Sequence, residues 1–308
     1  MARVAFMGMN VSKPAAGSSS STASRAATRD ALSPQAARAS LHAAVALFGF
    51  AALFGQWIAL PATAIVLGRT VIAALTLAVL LLARRQRAAS ASVRLAINGA
   101  ILALHWVTFF AAVRLAGVAV ALLGYASFPL FVLLLERRLF RGGAVERVTA
   151  VFATVGLVAL VPEFTWSSGI VRGLMLGVAS AFTFALLAVR NRRLVEQMTP
   201  STLALWQNAF AALCLAPIVA LGTPVSPTVI DVAMLVVLGV VCTGVAHTLF
   251  IASLQRVTAH TAAVVAALEP VYGIALAAAL LHELPSLRTL IGGVLIVAAA
   301  IVASRRIA

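Results

Sequence analysis

The chain has 308 residues, 63% of them apolar and 10% charged, with 23 basic against 8 acidic side chains and a net charge of +15. Soluble domains are about half apolar and about a quarter charged, so composition excludes an ordinary soluble enzyme and implies a polytopic membrane protein. The basic excess does not point to nucleic acid, because the arginines fall in short segments between apolar runs, where membrane topology accounts for them.

Residues 1–41 are rich in Ala, Ser and Arg and contain neither a hydrophobic period nor a signal-peptide core. They read as a disordered cytoplasmic tail, although an organellar transit peptide has a similar composition. Apolar runs follow at 42–60, 62–83, 95–113, 115–135, 148–162, 170–189, 203–221, 232–253, 259–281 and 287–303. Most approach the roughly 20 residues that cross a hydrocarbon core. With the tail cytoplasmic, 19 of the 23 basic residues lie on the tail side, three (Arg114, Arg172 and Arg288) on the other, and Arg69 within a span. That bias predicts ten helices with both termini on the cytoplasmic side.

Polar residues inside these runs are candidate functional positions. Gln56 and Trp57 close the first span, His105 and Trp106 lie in the third, Tyr125 in the fourth, and His247 in the eighth. The ninth span carries Glu269, followed at once by Pro270 and then by Tyr272. An intramembrane carboxylate is costly, and a proline beside it opens the helix ladder, so Glu269 is a candidate for substrate contact and proton exchange. Histidine can bond a substrate or carry a proton, and an aromatic ring with a polar tip suits an amphipathic ligand. Each of these also suits plain helix packing. Cys214 and Cys242 form no ligand pattern and read as small buried residues; no spacing supplies a zinc site.

Pro129 and Pro270 stand at an offset of 141 residues, each in the fourth span of its half. An odd number of spans per half makes the halves enter the membrane in opposite directions. The expectation is an all-α membrane protein of ten transmembrane helices, built as two inverted five-helix repeats over residues 42–163 and 168–304.

The run from Ala267 to Ala298 carries Glu269-Pro270, a small-residue helix, Glu283 and the pair Gly292-Gly293. It resembles the closing signature of the EamA family in the drug/metabolite transporter superfamily. The first half resembles the same pattern through Phe54-Gly55, Arg69, Ala112 to Leu115 and Pro129, but has Gly142 where a Glu is common and Phe128 at the position of Glu269. The resemblance covers about residues 43 to 303. It implies a secondary transporter of a small organic metabolite, first of all an exporter of amino acids or related compounds, in the bacterial plasma (inner) membrane. It also implies a central cavity between the halves, with polar contacts from Gln56, Trp57, His105, Tyr125, His247, Glu269 and Tyr272, and places Arg69 on a peripheral helix, in a structural role.

The reading therefore involves a small-molecule substrate, the lipid bilayer and a proton as candidate coupling ion, with no nucleic acid, metal or cofactor; the oligomeric state is not legible. No phosphate-binding loop is present to drive transport with ATP. A sugar-phosphate or nucleotide-sugar carrier would favour several cations in the cavity, and Lys13 in the tail is the single lysine. An intramembrane transferase needs clustered carboxylates for Mg²⁺, and the eight acidic residues are scattered. A channel or scramblase is the remaining alternative.

Overall fold

The computed structural model describes residues 32–86, 88–136, 169–224, 226–287, 290–295 and 297–298. These residues are helical, with no strand among them, and seven helices are long and apolar enough to cross a membrane. The expected fifth span, 148–162, lies outside the described residues, as does much of the tenth.

Local chemistry sets the helix ends. Helix α1 (Pro34–Trp57) begins earlier than the expected residue 42, because the Ser33 hydroxyl accepts from the Ala36 amide at 3.2 Å and Pro34 supplies a preset first-turn φ. It stops where Ile58 turns extended ahead of Pro61. Helix α2 (Ala62–Ala83) returns across the membrane, ending at Arg84 and the left-handed Arg85. Helix α3 (Val93–Tyr125) holds the expected third span and the beginning of the fourth. It bends sharply at Gly117, whose φ of 81° and ψ of 169° only glycine adopts readily. The Glu283 carboxylate accepts from the Val118 amide there, at 3.1 Å and 3.3 Å, and so caps the second arm.

Helix α4 (Phe128–Leu135) follows a short break at Ala126 and Ser127. Helix α5 (Gly169–Leu194) packs along α3, and helix α6 (Pro200–Ala220), which opens on the Thr199 cap and Pro200, packs on α2 and α3. Helix α7 (Val229–Gly239) starts on a reciprocal Thr228–Asp231 capping box. It runs through a π-helical segment (Val240–Val245) into α8 (Ala246–Ser253). Helix α9 (Ala259–Ala266) and helix α10 (Glu269–Leu280) flank a second break at Ala267 and Leu268.

The two breaks correspond at the expected offset. Tyr125 and Ala266 end the preceding helices, Phe128 and Glu269 begin the following ones, and Pro129 and Pro270 sit in their first turns.

Glycine and alanine let the helices approach closely, as in membrane bundles generally. On the α3–α5 seam, a Cβ at Gly177 would stand 2.8 Å from the Ala121 carbonyl oxygen. Large apolar side chains such as Leu75, Leu82, Leu213 and Val294 face outward, each more than half exposed. Cys214 is exposed with them, contrary to the buried position expected of it. Such a surface suits acyl chains and is a liability in water. The chain is a multi-pass membrane protein.

A candidate substrate cavity at the bundle centre

The π segment creates a bed for Arg69. Its wide turn lets the Thr243 hydroxyl donate to the Leu238 carbonyl at 2.7 Å while accepting from Arg69 Nε at 2.8 Å. Arg69 Nη2 donates to the Cys242 carbonyl at 3.4 Å, and the guanidinium carbon lies 4.1 Å from the centre of the Trp106 ring. The side chain is 2% exposed and lines the central cavity. Its structural anchoring matches the sequence reading, but its place does not: the second helix is not peripheral here, because the widened turn draws Arg69 to the cavity wall.

Glu269 enters from the broken helix opposite. As the first residue of α10 it sits at a helix N-terminus, where unbonded amides favour negative charge. Close packing of α10 on α1 fixes its backbone, since a Cβ at Gly49 would stand 3.0 Å from the Gly273 nitrogen and 3.1 Å from the Glu269 carbonyl oxygen. The side chain is 4% exposed, and its Oε2 has no hydrogen-bond partner. At the matching break of the first half, Phe128 stacks on Tyr125 with the rings 9° from parallel. One break thus offers a carboxylate and the other a hydrophobic stack.

Two histidines complete the polar wall. His105 Nδ1 lies 2.8 Å from the Ser180 hydroxyl and 3.0 Å from the Ser180 carbonyl, and its ring stacks on Phe184 at 4.7 Å. His247 Nε2 lies 2.9 Å from Gln207 Oε1, its Nδ1 is buried without a partner, and its ring meets Trp106 edge to face at 5.6 Å. Phe48, Phe109, Tyr125 and Phe184 supply the aromatic remainder of the lining. The open space is small, about 20 Å³, close to what one water molecule needs.

Of the seven candidate residues, His105, Tyr125, His247 and Glu269 meet at this cavity. Gln56, Trp57 and Tyr272 do not reach it. Gln56 is exposed and donates to the Val113 carbonyl at 2.8 Å, tying α1 to α3. Trp57 is half-buried in edge contacts with Phe50 and Phe54. Tyr272 is 38% exposed on the outer face of α10. Sequence reasoning missed the cavity positions of Arg69, Phe48, Phe109 and Phe184, and the buried amides Asn98, Asn191 and Gln207 behind His247. The amides had a readable signal: each is a polar residue inside or at the edge of an apolar run. Among the described residues, no group of three or more His, Cys, Asp or Glu could hold a metal ion.

Residues 171–305 match the model of the EamA-like transporter family. No curated protein matches the sequence. A solved crystal structure superposes with a TM-score of 0.69 at 22% identity, over 89% of this chain and 98% of its own; that likeness is one of fold.

Proposed function

We propose, from the premise that residues 171–305 belong to the EamA-like transporter family, that the chain is a secondary transporter of a small organic metabolite. In this reading it exports amino acids or related compounds across a bacterial inner membrane, with both termini cytoplasmic and a proton as coupling ion. The two halves are inverted five-helix repeats that open the site alternately to either side. One observation carries the proposal: a buried cation, a buried carboxylate and a ring of aromatic side chains face one cavity at the centre of the bundle.

The chemistry suits a zwitterion with an apolar side chain. The bonds described for Arg69, to Thr243 and Cys242, occupy Nε and Nη2, leaving capacity among the five donors of a guanidinium for an anionic group. Glu269 Oε2, with no partner of its own, faces the same space and can take a cationic group or a proton. A sugar phosphate would need more cations than this wall presents. With space for about one water, the conformer is closed around its site, and substrate must enter by opening one end of the bundle.

Transport by purified protein in proteoliposomes, across an amino-acid panel with and without a pH gradient, tests the reading. Glu269→Gln should abolish gradient-driven transport while retaining substrate counterflow, because the amide keeps the shape but carries no proton. Equal transport and equal pH dependence in the variant would overturn the role of Glu269. Absence of counterflow for every member of the panel would overturn the amino-acid reading.

A further inference from the structure

Behind His247 runs a continuous chain of polar side chains that ends at the arginine-rich face of the bundle. Arg190 Nε donates to Asn98 Oδ1, Asn98 Nδ2 donates to Asn191 Oδ1 at 3.1 Å, and Gln207 Nε2 donates to the same Asn191 oxygen. Gln207 Oε1 then stands 2.9 Å from His247 Nε2. Asn98, Asn191, Gln207 and His247 are each 0% exposed, while Arg190 is half-buried at the outer end.

The direction of every bond follows from that outer end. A guanidinium only donates. Asn98 must therefore turn its oxygen to Arg190 and its NH₂ to Asn191. Asn191 must present oxygen to that NH₂, and the same oxygen takes the NH₂ of Gln207. Gln207 is left with its carbonyl toward His247, so His247 must donate from Nε2. In the neutral ring Nδ1 is then a bare acceptor, and it is the atom found buried without a partner. Asn191 Nδ2 is also left unbonded, at the cost of one unmet donor. Reversing Asn191 would be worse, since it would face its NH₂ to two other NH₂ groups.

We infer that Arg190, Asn98, Asn191 and Gln207 are positioning residues that fix His247 as an Nδ1 acceptor, so that His247 Nδ1 and Glu269 Oε2 together receive the ammonium group of the substrate. The two atoms are unpartnered acceptors on residues that line one buried cavity, and an ammonium brings three donors. Trp106, Tyr125 and Phe184 line the same cavity, and the face of an aromatic ring attracts a cation. The ligand half of this inference rests on the transport reading above; the tautomer half stands on the hydrogen-bond chain alone.

Nitrogen NMR of histidine-labelled full-length protein separates the two. His247→Gln identifies the His247 resonances among those of the five histidines. The wild type should show a protonated Nε2 and a bare Nδ1. Arg190→Met should give a mixture of tautomers, and Arg190→Lys, which restores an obligate donor, should return the single form. A protonated Nδ1 in the wild type, or an unchanged tautomer in Arg190→Met, would overturn the relay.

Phenethylamine, phenylalanine and 3-phenylpropionate are then added in turn, probes that share a ring and differ in the ammonium and carboxylate. The first two should shift the Nδ1 signal and 3-phenylpropionate should not. Arg190→Met should weaken phenethylamine binding roughly tenfold, the scale of one hydrogen bond to a charged group. A shift by 3-phenylpropionate alone, or by none of the three, would overturn ammonium recognition. Counterflow of phenylalanine, read in parallel, reports on transport separately, so failure of that reading is told apart from failure of the relay.

Discussion

At the arginine-rich end of the bundle, α3, α5 and α6 are tied by buried side chains that bond one another, through Asn98, Asn191 and Gln207. At the opposite end the ties run between side chains and backbone. Gln56 donates to the Val113 carbonyl and Arg114 to the Ile58 carbonyl, while Asp231 accepts from the Ala59 amide and Glu283 from the Val118 amide. Gln56 and Arg114 are exposed and Glu283 is half-buried, so water can replace those three partners, Asp231 alone being buried. The amides of the first end have no such substitute. Losing one strands the others in a dry interior, where an unmet donor costs more than the bond it made. The ties at the arginine-rich end therefore stand or fall together, whereas those at the opposite end are small separable contributions.

Substitutions can break or sharpen this contrast. The largest effect belongs to Asn191→Leu, which strands the Asn98 and Gln207 donors together; a loss of about 3 kcal/mol is expected, read as a lowered melting temperature by tryptophan fluorescence in detergent. Gly117→Ala comes next. The added Cβ would collide with Glu283 and hold a backbone region reserved for glycine, for about 2 kcal/mol, and amide exchange at Val118 should quicken. Asp231→Ala removes one side of a capping box and the tie to Ala59, for about 1 kcal/mol. If Asn191→Leu proved as mild as Asp231→Ala, the distinction between the two ends would be lost.

Much of the fold was legible because membrane burial writes itself in long apolar runs. The prolines at 129 and 270 were legible as matched positions, and each lies in the first turn of the helix after a break, a place where proline loses nothing. Glu269, His105, Tyr125 and His247 stood out as polar residues within apolar stretches and do meet at one cavity. Tyr272 follows Glu269 by three positions, yet it is 38% exposed and does not line the cavity. The position of Arg69 was illegible because it depends on a turn that no periodicity announces. The amide chain was overlooked because Asn98, Asn191 and Gln207 lie close to the ends of their runs, where polar residues ordinarily meet headgroups. That Arg190 dictates the polarity of such a chain is a property of connectivity, which only coordinates reveal.

The π segment of Val240–Val245 is what an α-helix becomes when it takes in one residue too many. Removing a single residue there would let the ladder close into a regular helix, more orderly than the present one. The wide turn absorbs the extra residue, so a deletion that closed it would leave the residues after it, His247 among them, close to their present phase; what would go is the wide turn that lets Thr243 bond the Leu238 carbonyl and receive Arg69. The extra residue is thus what seats a buried arginine, and repairing the helix would unseat it.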